Sequence, residues 1–298
     1  MEPAAVAALI CPVCAEEFAP PAVGGSALVC GDGHSFDVAR QGYVNLLSGA
    51  GTHFLPDTAA MVAARDEFLA AGHYAPLAAK LSDVVVARLE KTGPGHDPLV
   101  VDAGTGTGYY LHELAAQSAA RGLDLRAVAM DISKFALRRA ARANPAAANV
   151  VWDLWKPLPL AAGCADAVMV VFAPRNAAEF ARILRPGGTV VVVTPLPGHL
   201  AAVASATGML GVQPDKEEAL VAAMSGWFRP GPVHTLEYQV ELDRADVARV
   251  ALMGPAGHHL DADAVAHKVA ELPAASEVEA AFRISEFELL PPQEWVKG

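Results

Sequence analysis

A short apolar run, Leu99-Val100-Val101, ends in Asp102 and opens directly into Ala103-Gly104-Thr105-Gly106-Thr107-Gly108-Tyr109-Tyr110. Helix-forming residues follow as far as Ala120. The pattern predicts a buried parallel strand, a tight turn and a helix N-terminus. Glycines at alternate positions let the backbone turn sharply and approach a ligand closely, because no Cβ intervenes. The spacing is G-x-G-x-G, which departs from the G-x-G-x-x-G of dinucleotide enzymes. No Lys-Ser/Thr pair follows, so the loop is not a phosphate-cradling P-loop.

The stretch after this loop alternates strand and helix patterns. Strands are expected at Leu125–Met130, Asn149–Trp152, Ala167–Phe172 and Thr189–Thr194, with helices at Ser133–Arg142 and Ala177–Leu184. Arg185-Pro186-Gly187-Gly188 reads as the turn that closes the second of these helices. Two further strand-like stretches lie at 233–242 and 281–290, and helices are expected at 244–253 and 261–272. The fold class is therefore α/β, with a doubly wound parallel sheet and ligands at the carboxyl ends of its strands.

Acids stand at three successive strand ends: Asp102, Asp131 and Asp153. An acid at the second position is placed to accept ribose hydroxyls, and one at the third lies where an adenine ring would rest. An acid beside the loop and no added base there favour a nucleotide without phosphates. S-adenosylmethionine (AdoMet), which carries a ribose, an adenine, an ammonium and a sulfonium, fits that demand. The competing reading is that the acids cap strand ends and helix starts.

Three of the four cysteines lie in the first 30 residues: Cys11-Pro12-Val13-Cys14, then Cys30, followed by Gly31-Asp32-Gly33-His34. Each pair forms a tight knuckle, and three thiolates with one imidazole complete a closed tetrahedral zinc site. A closed site is structural, and a segment of this size has too little core to fold without such help. A C-x-x-C redox pair and a disulfide are the alternatives. Cys164 stands apart and reads as a buried small residue. Upstream of the glycine loop, Asp57 or Thr58 is expected to cap a helix through Phe68, and a second helix runs from Leu77 to Leu89. Lys91–Pro98 is expected as a linker.

The net charge of −11 argues against generic affinity for nucleic acid. It is unevenly spread: residues 99–195 are net basic, and both flanks are acidic. On the helix after Ser133, Lys134, Arg138 and Arg142 fall at four-residue spacing with Arg139 alongside, which suits either phosphate contacts or a solvated face. Arg40, Arg65 and Arg175 are further candidates for RNA contacts. No apolar run reaches membrane length and no basic leader precedes Cys11, so a soluble, cytoplasmic protein is expected.

The central section resembles a class I AdoMet-dependent methyltransferase. Val101 to Gly106 is similar to that class's first motif, Val128 to Ser133 to its second, and the Pro-Gly-Gly turn recurs. That resemblance implies a Rossmann-like, seven-stranded, mostly parallel sheet. More narrowly, the cysteine knuckle, the phrase Phe36 to Leu47 containing Gly42-Tyr43-Val44-Asn45-Leu46-Leu47, and Ala71 to Leu77 resemble the RlmA/TlrB family of 23S ribosomal RNA (guanine-N1)-methyltransferases. Phe172-Ala173-Pro174, Thr194-Pro195 with His199-Leu200, and Met253-Gly254-Pro255 extend the match.

The resemblance implies a zinc knuckle at 1–40, a helical linker at 41–98, and a methyltransferase domain at 99–298 with a substrate-side insertion near 196–232. It implies zinc on Cys11, Cys14, Cys30 and His34. It implies AdoMet on Tyr74, Gly106, Thr107 and His199, besides Asp102, Gly104, Thr105, Asp131 and Asp153. It also implies a homodimer acting on an rRNA hairpin, and for one branch resistance to tylosin-type macrolides. Methylation of guanine N1 requires removal of its proton and access to a base that is unstacked or flipped. Phe172, Ala173 and Pro174 are candidates for the wall against that base, Trp152, Trp155 and Phe172 for stacking, and Asp153 and His199 for acid–base work. A small-molecule AdoMet methyltransferase and a non-catalytic zinc-ribbon RNA-binding factor are the alternative functions.

Overall fold

The computed structural model describes residues 1–298 apart from 21–24, 48–50, 94–95, 210–215 and 297–298. The expected linker Lys91–Pro98 and insertion 196–232 therefore fall partly outside the described residues. In chain order the elements are α1 (Pro3–Val6), β1 (Ala27–Val29), β2 (Ser35–Asp37), β3 (Tyr43–Asn45), α2 (Ala59–Ala70) and α3 (Ala75–Leu89). Then follow β4 (Leu99–Ala103), α4 (Tyr109–Ala120), β5 (Arg126–Asp131), α5 (Lys134–Ala143), β6 (Ala148–Val151), β7 (Ala165–Val171) and α6 (Ala177–Ile183). The chain closes with β8 (Leu184–Pro195), α7 (Ala201–Thr207), α8 (Lys216–Met224), β9 (Phe228–Asp243), α9 (Arg244–Met253), α10 (Ala262–Ala270) and β10 (Ala275–Leu289).

The main sheet has the order β3-β6-β5-β4-β7-β8-β10-β9. Strands β3 to β8 run parallel, and β10 enters antiparallel between β8 and β9. This is the expected doubly wound sheet with one correction: among the described residues it holds eight strands, not seven. The extra strand is β3, whose Tyr43, Val44 and Asn45 pair with Asn149, Val150 and Val151 of β6. Three residues are too short for a strand to show as periodicity.

The strands read as unbroken apolar runs because both faces are covered. Val100, Val191 and Val193 join a core built with α2, α3, α4, α7, α9 and α10. Leu99, Val101, Val190 and Val192 join the opposite core with α6, α8 and residues from the knuckle, including Leu9, Phe18 and Leu28. Each fully buried Leu or Val contributes about 1.5–3 kcal/mol relative to exposure.

The element boundaries differ from expectation in two informative places. Arg185 to Gly188 does not close α6 as a free turn; it bulges out of β8, since Leu184 pairs with Ala165 and Thr189 with Ala167. At the base of that bulge lies Asp166, with a side chain only 1% exposed. It accepts the Leu99 N–H at 2.7 Å and meets His96 Nε2 at 2.8 Å and Arg185 Nη2 at 2.5 Å. Strand β9 begins at Phe228, ahead of the expected 233, despite Pro230 and Pro232. It is the sheet's edge, where a residue without an N–H is tolerated.

Candidate active site and metal centre

The knuckle is built by two turns. The Ala15 N–H donates to Cys11 O at 2.8 Å, and the Gly33 N–H to Cys30 O at 2.9 Å, with Gly33 at φ +81°. These turns bring one donor atom from each of Cys11, Cys14, Cys30 and His34 within 4.8 Å of one another. Cys14 Sγ lies 3.6 Å from Cys30 Sγ, and Cys30 Sγ lies 3.4 Å from His34 Nδ1. A zinc tetrahedron with ordinary Zn–S and Zn–N bonds has edges of roughly 3.4–3.8 Å. The donor set fits that metal in both chemistry and spacing. Cys164 is not part of it; partial burial pushes its thiol up to about 11.

The glycine loop sits at the carboxyl end of β4. Gly104 and Thr105 both donate their N–H groups to Met130 O at 2.9 Å, tying the loop to β5. Gly104 has φ +85°, and a Cβ there would lie 2.3 Å from the Ala173 Cβ. Gly108, at φ +81°, would meet Asn144 Nδ2 at 2.6 Å and Ala140 Cα at 2.8 Å. Both glycines are therefore required by close approach as well as by backbone conformation.

Around the loop, Asp102 accepts the Thr105 hydroxyl at 2.6 Å. Asp131 accepts the Gly106 N–H at 2.9 Å on one oxygen and the Ser133 N–H at 2.8 Å on the other. Burial raises both carboxyls, Asp102 to about 7, with the Thr105 bond pulling the other way and the charge of Asp131 adding to the rise. Asp131 is held back from a larger shift by its two backbone donors and by Arg65. Arg65 itself pairs with Asp57 at 2.5 Å and donates to Met253 O, so it braces the loop from outside and is not a free cation for RNA.

Asp153 is buried after β6 with both oxygens in use: one accepts the Thr52 hydroxyl at 2.8 Å, the other the Trp155 N–H at 3.0 Å. A cavity of about 380 Å³ lies at the ends of β5 and β6, lined by Ile132, Ser133, Val151, Thr52 and Phe135 among others. Trp152 is buried, whereas Trp155 is 52% exposed and faces Phe54 at 6.5 Å. At the end of β7, Phe172 takes a left-handed φ of +54° and is 47% exposed, and Pro174 is exposed beside it. Left-handed backbone is costly for a bulky aromatic and is retained where the surroundings over-determine it.

Tyr74 and His199 meet from distant parts of the chain, Tyr74 Oη at 3.0 Å from His199 Nε2. Leu200, at φ +53° and buried, makes the turn that sets His199 before α7. Burial lowers the imidazole to about 4 and raises the phenol well above its usual range. Phe282, fully buried on β10, packs on Tyr74 (5.0 Å), His199 (4.6 Å) and Phe172 (5.9 Å). Thr52 and Phe282 escape sequence reasoning because their partners lie far away in the chain and neither belongs to a local pattern. The same is true of the Arg65 brace.

Residues 9–49 match the model of the RlmA N-terminal zinc ribbon, and residues 100–188 match a methyltransferase domain. The chain is 44% identical over 270 residues to the 23S rRNA (guanine(748)-N(1))-methyltransferase of Streptomyces fradiae, covering 91% of this chain and 92% of that one. It is 43% identical over 302 residues to a Micromonospora griseorubida protein named, provisionally, for the same guanine-N1 activity, covering 96% and 99%. A SAM-dependent methyltransferase from Aquifex aeolicus is a looser structural likeness, 19% identical with a TM-score of 0.37 over 49% of this chain and 79% of that one. A zinc ribbon, a methyltransferase fold and two near full-length relatives thus converge, and the chain belongs to the RlmA-type 23S rRNA (guanine-N1)-methyltransferase family.

Proposed function

We propose that this enzyme transfers a methyl group from AdoMet to N1 of a guanine in a hairpin loop of 23S rRNA. The observation that carries the reading is the joint presence of a four-donor zinc knuckle and the glycine loop with its acidic rim, in a chain 44% identical to an enzyme of that name. AdoMet supplies an electrophilic methyl on a sulfonium. Gly104, Thr105, Gly106 and Thr107 hold its methionine side with Asp102 facing the cation, and Asp131 accepts the ribose hydroxyls. Asp153 and the cavity beside Ile132 take the adenine. Tyr74 and His199 close the amino-acid end. Phe172 and Pro174 form the wall that receives the extruded guanine.

His199 is not free to serve as the base for N1, because both of its ring nitrogens are hydrogen-bonded, and Asp153, though its oxygens keep spare lone pairs, is buried and held by Thr52 and Trp155. The site therefore acts first by positioning the base and excluding water. The knuckle (1–40), helical linker (41–98) and methyltransferase domain (99–298) are read as one functional unit, working as a cytoplasmic homodimer, and tylosin-type macrolide resistance is the expected phenotype.

Primer extension on 23S rRNA is the test. N1 methylation blocks Watson–Crick pairing, so rRNA incubated with protein and AdoMet should acquire one strong stop at a guanine. Methyl transfer into small metabolites with none into rRNA would overturn the reading.

A further inference from the structure

We infer that the outer face of α5 is the surface on which the RNA strand's phosphates dock, with Phe135 as a base-stacking platform. The inference rests on the proposed rRNA substrate and assigns that substrate's contact surface. In this acidic protein most arginines are committed: Arg65, Arg88, Arg121, Arg139, Arg182, Arg185, Arg229, Arg249 and Arg283 all sit in ion pairs. Helix α5 is different. Its inner face, Ala136, Leu137, Ala140 and Ala141, is buried, and its outer face exposes Lys134, Phe135, Arg138 and Arg142. Among the described residues, none of these three cations has an acidic partner within ion-pair distance.

Lys134, Arg138 and Arg142 fall at four-residue steps and span about 12 Å, long enough for a short run of phosphates. The Arg138 guanidinium lies 5.5 Å from the Phe135 ring centroid, and that ring is 41% exposed. An exposed aromatic with a guanidinium at its ring suits a single strand, whose bases stack while its phosphates pair. A groove of about 570 Å³ runs along this face, lined by Arg138, Arg139, Arg142, Phe135 and Asp66, and by Thr107 of the glycine loop. The phosphate track thus adjoins the loop at which the methyl donor is proposed to bind. Asp66 is the one acid in the groove, and it is neutralised by Arg139 at 2.7 Å.

The experiment uses the full chain with an in vitro 23S rRNA transcript and compares wild type with K134Q/R138Q/R142Q. Removing three phosphate contacts should raise the KM for RNA at least tenfold. It should also reduce the slope of log affinity against log salt by about 2. Zinc content and the thermal unfolding midpoint are expected to stay unchanged, which shows that the fold is retained. A charge-conserving R138K/R142K variant should keep the slope, and F135A should weaken binding without altering it. An unchanged KM and salt slope in the triple variant, while wild type methylates the transcript, would overturn the docking surface. So would a defect seen only on ribosomal particles and absent on naked RNA, which points to a protein partner. Failure of wild type to methylate any rRNA would overturn the proposed function itself.

Discussion

His199 and Tyr74 form a hydrogen bond whose direction is fixed from behind. The Ala281 N–H donates to His199 Nδ1 at 3.1 Å, so that nitrogen carries a lone pair and the proton sits on Nε2. His199 therefore donates to Tyr74 Oη at 3.0 Å, and the phenol's own proton is left for another acceptor. Tyr74→Phe would strand the buried imidazole N–H at a cost of about 1–3 kcal/mol. Urea denaturation should show that loss, and calorimetry a weaker AdoMet affinity. Equal stability of Y74F and wild type would argue against this bond direction.

His199 and Asp102 give a pH signature. His199, lowered to about 4 by burial, binds fewer protons folded than unfolded, so its contribution to stability is lost as pH falls from about 6.5 through 4. Asp102, raised to about 7 by burial, behaves oppositely: its contribution is complete only below about pH 4 and declines as pH rises to 7. A cationic ligand beside Asp102 requires the carboxylate. AdoMet affinity should therefore rise about tenfold between pH 6 and 8 and release a proton on binding, read by calorimetry in buffers of different ionisation enthalpy. The Asp102→Asn variant should bind weakly at both pH values.

Gly104 and Ala173 compete for one volume. Gly104→Ala alone places two Cβ atoms 2.3 Å apart and should abolish AdoMet binding in a protein that remains folded by circular dichroism. Adding Ala173→Gly removes the clash but leaves the left-handed backbone penalty, about 1–2 kcal/mol. Partial recovery of binding in the double variant separates the two causes. Full recovery would show that the φ of +85° is not demanding.

Phe172 is held in a backbone region that glycine would occupy freely. Phe172→Gly should leave stability unchanged or raise it by up to about 1 kcal/mol, offset by lost contact with Phe282. It should lower kcat for rRNA by at least tenfold. Preserved turnover would remove this ring from the proposed base pocket.

Much of the site was legible because strand ends and glycine loops are local patterns. Asp102, Asp131 and Asp153 could be placed from periodicity, and the four knuckle ligands from spacing. What the pattern hid is contact across distance. Thr52 reaches Asp153 over about a hundred positions, Phe282 joins four aromatic side chains from distant parts of the chain, and β3 is recognisable only once β6 is beside it.

Zinc should stabilise more than the knuckle. Leu9, Phe18, Leu28 and Cys30 share one apolar core with Val101 and Val192 of the sheet. Chelation, or His34→Ala, should lower the Tm of the whole chain by several degrees. A knuckle that melts alone, leaving the main transition in place, would show that this shared core is energetically minor.

Asp166 ties the beginnings of three neighbouring strands with one carboxylate, holding the Leu99 amide, His96 and Arg185 at the end of the sheet opposite the glycine loop. Register is thereby pinned at the far end of the sheet, so a substitution in the loops at the carboxyl end leaves the alignment of β4, β7 and β8 in place.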